Sequence, residues 1–131
     1  MIGLDTNISI RYLTQDDLKQ SKIVANIFET QISYQSPGFI SLIVLIETIW
    51  VLKSIYQQNK EELCLLIAHL LTTKQLLVEK SDLAYKALKL WEKGNGDYSD
   101  ALIIVINQQQ GCIKTLTFDK KAKSLGMILA Q

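Results

Sequence analysis

Five carboxylates stand where chemistry is the more economical explanation than surface solubility. Asp5 directly follows the apolar run Met1–Leu4. Asp119 follows a segment that reads as another strand, Ile113–Thr117, with Phe118 between them. Either could cap the helix after it, and either could be a carboxylate that a strand delivers to the end of a sheet; the two roles are compatible. Glu47 has Ile43, Val44, Trp50 and Val51 at helical spacings of three and four, so it belongs to no polar stripe. A carboxylate on an apolar surface costs on the order of several kcal/mol unless it is paired, protonated or bound to a cation. Asp97 and Asp100 open a helix whose next residues, Ala101–Ile106, are all apolar. Capping and the helix dipole would account for both acids, but so apolar a helix is predicted to be buried, which places its acidic start in a cleft.

Carboxylates sharing one cleft repel one another, by roughly 4 kcal/mol per pair at ~4 Å and an effective dielectric near 20. A divalent cation relieves that repulsion. Oxygen-only ligands suit Mg²⁺ or Mn²⁺, whereas zinc usually brings histidine or cysteine. Such an ion, held by carboxylates and water, is the usual device for phosphoryl chemistry.

The elements that must position these acids follow from the apolar pattern. Strands are predicted at Met1–Leu4, Phe39–Ile40, Leu76–Val78, Ile113–Thr117 and Met127–Leu129. Helices are predicted at Thr6–Leu13, Asp16–Gln31, from the cap Ser41 to about Tyr56, Lys60–Thr73, from the cap Ser81 to Lys93, Tyr98–Gln109 and Lys120–Ser124. Short apolar strands alternating with helices predict an α/β fold: a single domain, residues 1–131, with a parallel β-sheet flanked by helices. Sites in such sheets lie at the carboxyl ends of strands, which is where Asp5 and Asp119 fall. The loop Gly94-Asn95-Gly96 predicts a mobile wall beside Asp97.

Composition narrows the classes. A chain of 131 residues with 48% hydrophobic content can bury a core without disulfides. The net charge of +1 is too balanced for coating nucleic acid by bulk charge, so any such contact must be local or assisted by a metal or a partner. Cys64 and Cys112 are far apart without metal-site spacing, and both are predicted to be buried thiols outside any disulfide, as in a reducing cytoplasm. The single histidine, His69, reads as a helix residue and excludes chemistry that needs histidine pairs. Asp5 and Arg11 interrupt the N-terminus, so no signal peptide is expected. The longest apolar run, Gly38–Leu52, contains Glu47 and falls short of the ~20 residues of a membrane span. A soluble, cytoplasmic protein is the expectation.

Four blocks, in order, resemble the PIN domain: Leu4-Asp5-Thr6-Asn7, the helix carrying Glu47, Asp97-Tyr98-Ser99-Asp100-Ala101-Leu102-Ile103, and Thr115-Leu116-Thr117-Phe118-Asp119. The likeness is strongest to VapC-type toxins of bacterial toxin–antitoxin pairs. It implies a Mg²⁺- or Mn²⁺-dependent endoribonuclease site in which Asp5, Glu47, Asp100 and Asp119 are the acids. Asp97 matches an extra acid one turn before the third. Thr6, Asn7 and Thr117 match polar residues that support the carboxylates. Arg11, Lys120 and Lys121 are candidate phosphate contacts of an RNA substrate. The resemblance also implies a small antitoxin partner and a homodimer, for which Ile8, Ile10, Tyr12, Leu13, Trp50, Ile55 and Tyr56 offer apolar surface.

Two other classes compete. A phospho-acceptor signalling domain also gathers Asp around Mg²⁺, but it needs paired acids after the first strand and an acceptor Asp after the third. Here stand a single Asp5 and the sequence Glu79-Lys80-Ser81. A catalytically silent PIN-like binding module would keep the fold without the cleavage.

Overall fold

A computed structural model describes residues 1–131. The chain divides into two compact units, Met1–Glu79 and Lys80–Gln131.

The first unit is built on a three-stranded parallel sheet of β1 (Ile2–Gly3), β2 (Gly38–Ile40) and β3 (Leu76–Val78), with β2 in the middle. Helices α1 (Thr6–Leu13) and α2 (Leu18–Thr30) connect β1 to β2, and α3 (Leu42–Ser54) and α4 (Lys60–Thr72) connect β2 to β3. Parallel strands require such crossovers. Ile40, Leu45, Leu52, Leu63, Ile67 and Leu70 are almost wholly buried and form the centre of this core. In α4 the buried residues Leu63, Ile67 and Leu70 recur at the three-to-four spacing of one helix face. Asn59 and Glu62 start that helix with a capping box.

The second unit packs α5 (Ser81–Glu92) against α6 (Tyr98–Gln110), followed by β4 (Leu116–Thr117), α7 (Lys120–Lys123) and β5 (Ile128–Leu129), with β4 and β5 paired in parallel. Ala84, Ala87 and Ala101 are fully buried, and their small side chains let α5 and α6 approach closely. Tyr98 bridges the two helices by donating its hydroxyl to the Ala84 carbonyl at 2.7 Å. Burial pushes that phenol's pKa up.

The expected α/β class with parallel strands and helical crossovers is what the chain adopts; the strands fall into two parallel sheets, one in each unit. Several local expectations are corrected. Ser81 is the first residue of α5 and not its cap; that place is taken by Lys80 in the left-handed region at φ 47°. The predicted strand Ile113–Thr117 is reduced to Leu116–Thr117. Gly111 ends α6 in the left-handed conformation, and the Cys112 amide bonds back to the Asn107 carbonyl. The chain then leaves the helix with Ile113 96% exposed. Cys112 is exposed and Cys64 half-buried, because Cys112 lies in that same exit; no disulfide joins them. No helix is long and apolar enough to cross a membrane.

Candidate active site

In the first unit, three residues follow the carboxyl ends of neighbouring strands: Asp5 after β1, Ser41 after β2 and Glu79 after β3. Asp5 caps α1, its Oδ1 accepting the Thr6 amide at 2.7 Å. Ser41 caps α3 through the Val44 amide at 3.2 Å. Glu79 is the carboxylate that sequence reasoning passed over. Its Oε1 accepts the Leu42 amide at 2.9 Å and so holds the start of α3. Its place directly after a strand, like that of Asp5, was the available signal.

Glu47 lies on α3, which packs on α1. It is exposed, as are Ile43 and Trp50 on either side, so the expected cost of burying it does not arise. The reason is that α3 is apolar on every side: its neighbours' hydrophobicity does not say which face is covered. Leu45, Thr48, Ile49 and Leu52 take the buried face.

In the second unit, Asp97 and Asp100 form a capping box at the start of α6. Asp97 is exposed and Asp100 half-buried. Asp119 caps α7, its Oδ1 accepting the Lys121 amide at 2.9 Å. Thr117 Oγ1 accepts the Asp119 amide at 3.0 Å, which fixes the backbone that carries this acid. Gly96 brings the two helix starts together. A Cβ at Gly96 would lie 3.2 Å from Asp100 Oδ2 and 3.3 Å from the Lys121 carbonyl, and its φ of +90° favours glycine. The Gly94–Gly96 loop, expected to form a mobile wall, is held by hydrogen bonds to Trp91 and Ser124. Trp91 Nε1 donates to the Gly96 carbonyl at 2.9 Å, and the Asn95 amide donates to Ser124 Oγ at 2.9 Å.

Of the supporting residues, Thr6 adjoins Asp5 with a hydroxyl that is buried and without a partner, and Asn7 is exposed. Lys120 and Lys121 are exposed at the start of α7, beside Asp119. Arg11 is committed elsewhere. Its Nε donates to Gln20 at 2.7 Å, and its Nη1 reaches Asp16 at 3.2 Å and the Tyr56 hydroxyl at 3.0 Å. Tyr56 in turn donates to Asp16 Oδ2 at 2.7 Å, and that bond holds the Asp16 carboxyl below its ordinary pKa. This network ties the end of α1 to the segment after α3. Ile10, expected on an outer surface, is core at 4% exposure, whereas Trp50 and Ile55 are open at 62% and 67%.

Carboxylate oxygens of this kind suit a hard cation. Asp5, Glu47, Asp100 and Asp119 all offer oxygen, and none of the four is paired with a lysine or arginine. Neither unit by itself gathers three or more His, Cys, Asp or Glu side chains that could hold a metal ion.

Comparison with known proteins adds the family. The VapC ribonuclease of Aquifex aeolicus (strain VF5) is 25% identical over 123 residues, 94% of this chain and 90% of the relative. The crystal structure of Mycobacterium tuberculosis VapC20, described as a sarcin–ricin loop cleaving toxin, aligns over 99% of this chain and 98% of that one, with TM-score 0.46 and 14% identity. The model of the PIN domain matches residues 2–126, leaving only Met1 and the last few residues outside. A match running through both compact units, over nearly the whole sequence, means that the chain belongs to the PIN domain family.

Proposed function

We propose that the chain is a Mg²⁺- or Mn²⁺-dependent endoribonuclease, the toxin of a toxin–antitoxin pair, with residues 1–131 acting as one catalytic domain. One observation carries the reading. Asp5, Asp100 and Asp119 each give one carboxylate oxygen to a helix-start amide and keep the other without a hydrogen bond. The cap fixes the carboxylate and the second oxygen remains for a cation. The relative named as a VapC ribonuclease supports the same activity.

In this reading Asp5, Asp100 and Asp119 would hold the ion, and Glu47 would either join them or orient a water. When bound, the ion supplies a water of lowered pKa and positive charge beside the phosphoryl oxygens. Thr117 holds the Asp119 backbone in place, and Thr6 and Asn7 support Asp5. Asp97 sits at the rim and positions Asp100 through their mutual caps. Lys120 and Lys121 contact substrate phosphates. Arg11 Nε and Nη1 bind Gln20, Asp16 and Tyr56, so only its Nη2 donors would be left to contact a phosphate. The partners are RNA, a second copy of the chain and a small antitoxin.

Purified protein incubated with RNA should cleave it in Mg²⁺ or Mn²⁺ and stop in excess chelator. Full cleavage in chelator would remove the metal from the mechanism, and no cleavage under any condition would favour a silent binding module.

A further inference from the structure

The second unit contains a cavity of about 370 Å³ that none of the proposed catalytic acids lines. Pockets of ~300–1,000 Å³ are the size that takes small organic groups. One side is apolar, formed by Leu90, Ile104, Val105 and Leu125. The other side presents exposed residues: Tyr85, Lys86, Lys89 and Gln108. Tyr85 is 52% exposed, at the open side of this cavity.

Charge points the same way. Lys80–Gln131 has eight lysines against five Asp and Glu, a net +3, whereas Met1–Glu79 has six Lys and Arg against eight acids, a net −2. The near-neutral whole thus conceals a basic part, and the cavity lies in it. Lys89 is shared between Glu92, at 3.5 Å, and the Tyr85 ring, at 5.3 Å from its centroid, so it steadies the ring. Lys86 is exposed and makes no ion pair.

We propose that this cavity binds one base of a single-stranded RNA, with Tyr85 against the base and Lys86 on an adjoining phosphate. It would be a substrate subsite of the ribonuclease proposed above, and it rests on that reading. Proteins that hold single strands combine a cationic track with an aromatic platform on which a base lies. A protein partner fits less well. Interface cores are depleted in lysine and enriched in arginine, and the second unit has no arginine at all.

The test is fluorescence anisotropy of a short fluorescein-labelled oligoadenylate with the full chain, in chelator so that nothing is cut. Tyr85→Ala should weaken binding roughly tenfold with an unchanged salt dependence, as loss of one stacked base does. Lys86→Gln should lower the slope of log K against log salt by about 0.7, as loss of one phosphate contact does. Both residues are exposed, so melting temperatures should stay at the wild-type value. Asp100→Asn should bind at least as tightly as wild type while failing to cleave in Mg²⁺. A wild-type chain that cleaves RNA while the Tyr85 and Lys86 variants bind like wild type would overturn the subsite and leave the nuclease standing. A wild-type chain that does not bind the oligomer would also overturn it. So would variants that keep RNA affinity but lose self-association, which would assign the cavity to a protein contact.

Discussion

The backbone amide of Asp97 donates to Asp100 Oδ2 at 3.0 Å, and the two residues cap each other at the start of α6. One carboxylate is therefore both a structural cap and a proposed metal ligand, and substitution can separate the two roles.

Asn at position 100 still offers an oxygen to the Asp97 amide, so Asp100→Asn should cost only a few tenths of a kcal/mol of dipole interaction. It removes charge from the proposed ion site, so RNA cleavage should fall by orders of magnitude. Mg²⁺ should raise the melting temperature of wild type, as any ligand of the native state does, and that gain should shrink in the variant as well. Asp100→Ala loses the cap too and should cost ~1 kcal/mol more. If Asp100→Asn cleaves at the wild-type rate and keeps its full Mg²⁺ shift, Asp100 is not in the active site.

The Tyr56–Asp16 bond gives the fold an acid-sensitive term. A carboxyl whose folded pKa is depressed contributes stability that is complete above the unfolded value, ~3.9, and lost as pH falls through the lower folded one. Tyr56→Phe removes the first cause of that depression. The melting-temperature gap between wild type and Tyr56→Phe should be constant from neutral pH down to about pH 5 and narrow below about pH 4. A gap that stays constant into strong acid would assign the whole effect to the bond with Arg11.

Thr48 is fully buried on α3, and its hydroxyl has no partner. Burying a hydroxyl without a hydrogen bond costs about 1–3 kcal/mol by protein mutational data. Thr48→Val keeps the branching and should raise stability by up to ~1 kcal/mol in denaturant titrations. A clear loss would mean that the hydroxyl is bonded in solution.

Trp50 and Ile43 stand seven residues apart on the open face of α3. If that face joins two copies, Trp50→Glu should yield a monomer by light scattering without lowering the melting temperature, because an exposed indole leaves no cavity behind. Wild type that is monomeric at high concentration sinks the dimer.

Part of the fold is legible in the sequence, for identifiable reasons. The helix Thr6–Leu13 and the strand Leu76–Val78 match the expectation to the residue, because polar residues bound them on both sides. The acids at strand ends were legible because a parallel sheet has few places to put a polar residue. Glu47's surroundings were not, since an apolar neighbour in sequence can be an exposed neighbour in space. Ile113 failed for the related reason that apolar character does not distinguish a paired strand from an open exit after a helix.

Gly96 also carries a genetic consequence. Its backbone is left-handed, and a side chain there would press on Asp100, the Lys121 carbonyl and Leu125 together. If the chain is the nuclease proposed above, it can be disarmed at a residue with no chemistry of its own. A selection for cells that survive expression of this protein should return Gly96 replacements alongside losses of the acids. Their products should fold and accumulate while cleaving nothing.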